Sequence, residues 1–175
     1  MTHDPGGKSK PKWPSDSRVV AKFSNDQCYR YSLEEVWDNA RPLVMFLMMN
    51  PSVAGVEHSD PTLRRTGNFA RAWGYGGQLI GNVHAYRATN PANLLDAQNP
   101  VGPYNDTAMR EMAQRADRII LAYGKAPGPL HRRALKVHAA LRADGYRLSY
   151  LRLSQDGTPM HPLYLPGNLV PVDFT

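Results

Sequence analysis

Runs of apolar residues alternate with amphipathic segments along most of the chain. The longest run, 43–49, contains no polar residue and has the length of a strand. Such a run is typical of a central strand that is buried on both faces of a sheet. Residues 78–83 and 118–123, whose centres are apolar, predict strands of the same kind, and 146–153 predicts a fourth.

The segments between these runs carry apolar residues at helical spacing. Helices are predicted over 62–73 and from residue 105 or 106 to 116, and a third follows the stripe Leu130, Ala134, Val137 and Leu141. The alternation of strands and helices predicts an α/β fold. We expect three layers, α/β/α, around a central, mostly parallel four-stranded sheet.

The segment before residue 43 carries signals for strands, for a helix and for a flexible tail. Residues 18–32 predict two short strands joined by a turn at 24–26. The sequence Ser-Leu-Glu-Glu that begins at Ser32 predicts a helix, because serine followed three residues later by glutamate forms a capping box. Residues 1–17, with three lysines and several glycines and prolines, predict a flexible basic tail. Residues 18–175 are then one domain.

Composition excludes several classes of protein. The 175 residues include one cysteine, Cys28, so neither an internal disulfide nor a cysteine-based zinc site is expected. The six histidines lack metal-ligand spacing, and no phosphate-binding or dinucleotide-binding glycine motif occurs, so we expect no metal and no cofactor. No membrane span or signal peptide is predicted, which points to the cytoplasm. The net charge of +6 is compatible with a polyanionic partner.

The ends of the predicted strands carry the candidate chemistry. In open α/β sheets the site lies beyond the carboxyl ends of the strands, where Asn50 and Asn82 are placed. An amide can hold a water molecule, but it is too weak a base to take its proton. Such a site suits a reaction that consists mostly of bond dissociation, and His161 can donate a hydrogen bond to the charge on the leaving group. Hydrolysis of an N-glycosidic bond fits this description.

Five short segments, in order, resemble motifs of the uracil-DNA glycosylase superfamily. Residues 46–52 resemble the first strand and its water-binding loop, closest to the mismatch-specific branch. Residues 79–83 resemble the second strand and 87–91 the stretch that follows it. Residues 121–126 resemble the third strand, and 160–165 resemble the histidine loop. The chain is thus similar to a divergent branch of this superfamily, close to a bacterial family of unknown function.

The resemblance implies a role for individual residues in the chemistry. Asn50 would position the water, and His161 would hydrogen-bond the base oxygen on which negative charge grows. Asn82 would face the edge of the flipped base. Ser52 and His58 are further candidates for contact with the base, His58 because no aromatic residue stands where the family has its stacking phenylalanine.

The same resemblance implies contacts with DNA. Lys125 and Arg87 are the candidates for the DNA backbone. The apolar residues after the histidine, Leu163, Tyr164 or Leu165, would fill the gap that the flipped nucleotide leaves.

These roles describe a monofunctional DNA glycosylase that acts as a monomer on a flipped pyrimidine, in duplex DNA. Strict uracil enzymes block substituents at C5 with a tyrosine, where this chain has the small Ser52. The expected substrate is therefore a bulky C5-modified cytosine of phage DNA, hydroxymethylated or glucosylated, and the expected role is antiviral defence. The alternatives are a uracil or mismatch repair glycosylase, a non-catalytic nucleic-acid-binding module on the same fold, and a hydrolase of free modified nucleosides.

Overall fold

The computed structural model describes residues 10–175, which contain one mixed β-sheet flanked by helices. In chain order the strands are β1 (Arg18–Phe23), β2 (Arg30–Val36), β3 (Leu43–Met48), β4 (Gly77–Asn82), β5 (Ala116–Leu121), β6 (Leu148–Tyr150) and β7 (Val172–Asp173). The helices are α1 (Pro61–Ala72), α2 (Asn105–Arg115) and α3 (Gly128–Ala143), with short 3-10 helices at Pro91–Asp96 and Pro162–Tyr164.

The sheet is larger than the sequence predicts. Its seven strands lie in the order β1-β2-β4-β3-β5-β6-β7. The four predicted strands form a parallel block at the centre, β4-β3-β5-β6. Strands β1 and β2 extend this block antiparallel on one side, and β7 pairs antiparallel with β6 on the other. The α/β class is confirmed. The prediction of a mostly parallel four-stranded sheet is wrong, because the hairpin β1–β2 and the C-terminal strand β7 also join the sheet.

Both faces of the parallel block are covered, as its apolar strands require. Met45 and Leu47 of β3 pack with residues of α2 and α3. Val44 and Phe46, which alternate with them along the strand, pack on the other face with residues of α1. The side chains of adjacent residues point to opposite faces of a strand, so one uninterrupted apolar run serves two cores. None of the helices within residues 10–175 combines the length and the apolar character that crossing a bilayer would need.

The helix predicted from Ser32 is a strand. Residues 30–36 form β2, which pairs with β1 on one side and with β4 on the other, with Leu33 opposite Ile80. Glu35, the end of the supposed capping box, is buried and accepts hydrogen bonds from Ser17 Oγ and Gln78 Nε2. Pairing with two neighbouring strands outweighs the local preference for a helix start.

The segment 1–17 predicted as a tail lies partly outside the described residues, which begin at residue 10. Residues 10–17 contact the domain. Lys12 forms a β-bridge with His58, and Trp13 Nε1 donates a 2.9 Å hydrogen bond to the carbonyl of Gly55. Contacts with the domain therefore begin before the predicted boundary at residue 18.

Candidate active site

A cavity of about 490 Å³ lies at the carboxyl ends of the central parallel strands. From β3 the chain leads to β4 on one side, and from β5 it leads to β6 on the other. The loops that follow β3 and β5 therefore diverge, and such a switch point is where open α/β sheets bind ligands. The walls come from the strand ends, the start of α1, the loop after β6 and the 3-10 helix at 162–164.

Asn50 lines this cavity and its amide is held in one orientation. Its Nδ2 donates to the carbonyl of Ala88 at 2.8 Å and to that of Pro51 at 3.1 Å. Because both partners are carbonyl oxygens, only the NH₂ group of the amide can make these contacts. Oδ1 accepts no hydrogen bond from residues 10–175 and remains able to accept one from a water molecule in the cavity.

Asn82, the last residue of β4, also lines the cavity and is 1% exposed. Neither Oδ1 nor Nδ2 has a hydrogen-bond partner within the described residues. Its backbone is held separately, because Asn105 Nδ2 donates to the carbonyl of Asn82 at 2.9 Å and to that of Val83 at 3.2 Å. Buried polar groups nearly always have partners, so this amide presents one donor and one acceptor edge to a ligand.

Two hydroxyl groups in the cavity wall resemble the Asn82 amide in their burial and in their hydrogen bonding. Ser52 Oγ and Tyr123 Oη are buried and have no partner among the residues that the structure describes. Burial raises the pKa of Tyr123 to about 12, so its hydroxyl stays protonated and can donate. The sequence does not single out Tyr123, because an aromatic residue at the end of an apolar strand is indistinguishable from ordinary core.

His161 enters the cavity at the start of the second 3-10 helix. Its Nδ1 accepts a 3.3 Å hydrogen bond from the backbone N–H of Leu163. In the neutral imidazole the proton then lies on Nε2, which becomes a donor. Gly124, which follows β5, brings this loop close: its N–H donates to the carbonyl of Pro159 at 3.0 Å.

Three predicted DNA-contacting residues lie at the cavity and near its mouth. Tyr164 is 80% exposed and its ring centroid lies 5.8 Å from that of His161. Leu163 lines the cavity and is half-buried. Lys125 is largely exposed and forms a 3.4 Å ion pair with Asp156. Hydrogen bonds from Ser154 and Thr158 hold the pKa of the Asp156 carboxyl well below its usual range.

Three other predicted site residues do not line the cavity. His58 pairs with Lys12 on the outside of the domain. Arg87 is 7% exposed, donates to the carbonyls of Gln27 and Ser52, and lies over the ring of Phe23, and these contacts hold its guanidinium within the domain. Leu165 is 3% exposed in the core, and inserting it into DNA would unpack that core.

Two charged residues in the cavity wall have no local sequence signal. Arg30, the first residue of β2, is 2% exposed, and Asp60, the N-cap of α1, is 5% exposed. Arginine and aspartate side chains are ordinarily exposed to solvent, so neither residue is expected in a buried wall. Arg30 begins the strand of the hairpin that joins the sheet beside β4, a pairing that the sequence does not predict, and Asp60 is buried as the N-cap of α1. Within residues 10–175, no three or more His, Cys, Asp or Glu side chains are grouped so as to hold a metal ion.

Comparison with known proteins identifies one relationship. The model of a family described as a protein of unknown function, DUF1643, matches residues 30–163. This range contains every residue that lines the cavity except Tyr164. No curated protein and no solved structure shows a significant match. Because the family model covers most of the chain, the protein belongs to the DUF1643 family.

Proposed function

We propose that this protein is a monofunctional DNA glycosylase that hydrolyses the N-glycosidic bond of a flipped, modified pyrimidine and leaves an abasic site. The observation that carries the proposal is the amide of Asn82, which is buried, unpartnered among the described residues and part of the cavity wall. A donor and an acceptor side by side match the edge of a nucleobase, and glycosylases read a flipped base in this way.

Two further polar groups of the cavity, the amide of Asn50 and the imidazole of His161, supply what breaking the glycosidic bond needs. Asn50 Oδ1 accepts a hydrogen bond from the attacking water, and Nε2–H of His161 donates to the base oxygen on which negative charge grows. The bond between C1′ and the base nitrogen breaks, and its electron pair leaves with the base. The water oxygen then bonds to C1′, and its proton passes to solvent, because the amide of Asn50 is not a base.

The substrate in this proposal is a cytosine with a bulky C5 substituent, hydroxymethyl or glucosyl, as in modified phage DNA, and the role is antiviral defence. One observation supports an occupant of small-molecule size, and a second supports a substituent that carries a hydroxyl group. The cavity, at about 490 Å³, is within the size range of small-molecule sites. Ser52 Oγ, buried and without a partner in residues 10–175, can hydrogen-bond to a hydroxyl group of the substituent.

The test is an assay for abasic sites. Purified protein is incubated with unmodified, uracil-containing, hydroxymethylcytosine-containing and glucosylated DNA, and alkali then breaks the strand wherever a base has been lost. We expect breakage of the modified DNA alone, reduced at least about 100-fold in Asn50→Ala and His161→Ala. The matched control is His58→Gln, a histidine outside the cavity, which should keep the parent rate.

Each alternative gives its own result in this assay. Breakage of the uracil-containing DNA would make the protein a repair glycosylase. Absence of breakage on all four substrates, with DNA binding that weakens steeply as salt rises, would favour a binding module and contradict the proposal. Release of bases from free modified nucleosides without any action on DNA would indicate a nucleoside hydrolase.

A further inference from the structure

Arg30 is a buried cation in the wall of the cavity. It is the first residue of β2, is 2% exposed and is one of the largest fully buried side chains of the protein. Its backbone N–H donates to the carbonyl of Ala85 at 3.0 Å, which fixes the start of the strand. The guanidinium is thus placed by the sheet itself and not by a surface loop.

Most of the donors of this guanidinium are unused. A guanidinium carries five N–H donors. In Arg30, Nη1 donates to the carbonyl of Ala54 at 2.9 Å, and this is the one hydrogen bond that the side chain makes with residues 10–175. Nε is buried and has no partner in the same range. Buried charged groups ordinarily have their hydrogen-bond donors satisfied, so we expect a ligand to accept hydrogen bonds from the unused donors of Arg30.

The nearby carboxylate of Asp60 does not pair with the guanidinium of Arg30. Asp60 also lines the cavity, and its Oδ1 accepts a 2.8 Å hydrogen bond from the backbone N–H of Leu63 as the cap of α1. Its charge partly opposes the effect of burial, which lowers the pKa of Arg30 to about 10 and leaves the group charged at neutral pH. No ion pair within 4.0 Å joins the two side chains in the described residues. The other cationic side chain of the wall, Lys125, is paired with Asp156.

We propose that Arg30 binds an anionic oxygen of the substrate base. The planar donor fork of arginine matches paired oxygens, and a charge-assisted hydrogen bond in a buried site is stronger than a neutral one. The anionic oxygen has two possible sources. It is either an oxygen of the base that gains charge as the base leaves, or a carboxylate carried by the base as a substituent. The inference rests on the proposed function, because it takes the occupant of the cavity to be a nucleobase.

The first arm of the test needs no catalysis. Calorimetry compares binding of 5-carboxyuracil with that of 5-carbamoyluracil, which has the same shape without the charge. If the source is a substituent, the parent prefers the carboxylate by at least about tenfold, and Arg30→Met abolishes the preference. Arg30→Lys keeps the charge without the fork and retains a weaker preference, so the test also stands if the methionine variant does not fold. The matched control is Arg118→Met, an arginine largely buried outside the cavity.

The second arm measures the rate of base release in a single turnover on the DNA that the abasic-site assay identifies. If the source is the leaving base, Arg30→Met lowers this rate by about 100-fold while the Kd for DNA stays at the parent value. A merely structural role would instead change the Kd or the melting temperature. Arg30→Lys recovers part of the rate.

The outcomes separate the two proposals. Carboxylate binding through Arg30 without cleavage of any DNA, including a duplex that carries 5-carboxycytosine, would keep the anion site and overturn the glycosylase. Cleavage of DNA with neither a carboxylate preference nor a rate that depends on Arg30 would overturn the anion site and keep the glycosylase. Absence of both would overturn both.

Discussion

A β-carbon added to Gly124 would lie 3.2 Å from the β-carbon of His161. Gly124 also has a φ of +67°, in the left-handed region that favours glycine. The end of β5 and the loop that carries the proposed leaving-group donor are therefore in contact at a position where a side chain is disfavoured twice, by its backbone conformation and by its neighbour.

Gly124→Ala should reduce both stability and base release. The left-handed conformation costs a residue with a β-carbon about 1–2 kcal/mol, and the new methyl group pushes His161 out of place. Gly145→Ala is the matched control, because its φ is +81° and no atom lies within 4 Å of the added carbon. We expect both variants to unfold at lower urea concentration, and only Gly124→Ala to lose cleavage activity beyond its loss of folded protein. Equal activity in the two variants would contradict the positioning of His161 by this contact.

Asn82 and Asn105 form a second matched pair. Both are 1% exposed, but the Asn82 amide has no partner in residues 10–175, whereas Asn105 Nδ2 makes two hydrogen bonds to backbone carbonyls. Asn82→Leu removes two unsatisfied polar atoms, so the free energy of unfolding should rise by about 1–3 kcal/mol while base excision is lost. Asn105→Leu should lower the free energy of unfolding by about 1–3 kcal/mol. Chemical denaturation and the abasic-site assay measure the two effects, and a destabilised Asn82→Leu would argue against a ligand role for the amide.

The sequence predicts the central strands because a strand that is buried on both faces contains consecutive apolar residues. The centre of each run that becomes β3, β4 or β5 is apolar, and Asn50, two residues after β3, and Asn82, the last residue of β4, could be placed at one edge by topology alone. The positions of Asn50 and Asn82 at the cavity are therefore available from the order of apolar and polar residues.

The placement of other residues depends on contacts between distant segments. Arg30 is buried because β2 pairs with β4, and the local sequence at Ser32 predicted a helix there instead. Leu165 follows two residues that face the cavity, yet it lies in the core because the 3-10 helix at 162–164 turns it inward. Neither burial can be read from periodicity, since each is fixed by a partner far away in the chain.

Acid should destabilise the protein through His84. Burial, together with the cation of Arg133, lowers the pKa of His84 from 6.5 to about 4. Between these values the unfolded chain binds a proton that the folded state does not, so stability is lost as the pH falls from about 6.5 to about 4. The loss is at most about 3 kcal/mol. Urea unfolding of the parent and of His84→Gln at pH 7 and pH 4.5 measures it: the variant should lose less stability, and equal losses would refute the prediction.

Tyr164 should matter for duplex DNA and not for the chemistry. It is 80% exposed beside His161, so Tyr164→Ala should change the free energy of unfolding by no more than about 0.5 kcal/mol. If its ring fills the gap left by the flipped nucleotide, the variant loses the energy that offsets unstacking, and excision from duplex DNA should fall about tenfold or more. Single-stranded DNA, whose bases need less unstacking, should be cut at nearly the parent rate. Tyr104→Ala is the matched control, a 66% exposed tyrosine that does not line the cavity. An equal loss on single and double strands would instead give Tyr164 a role in binding the base itself.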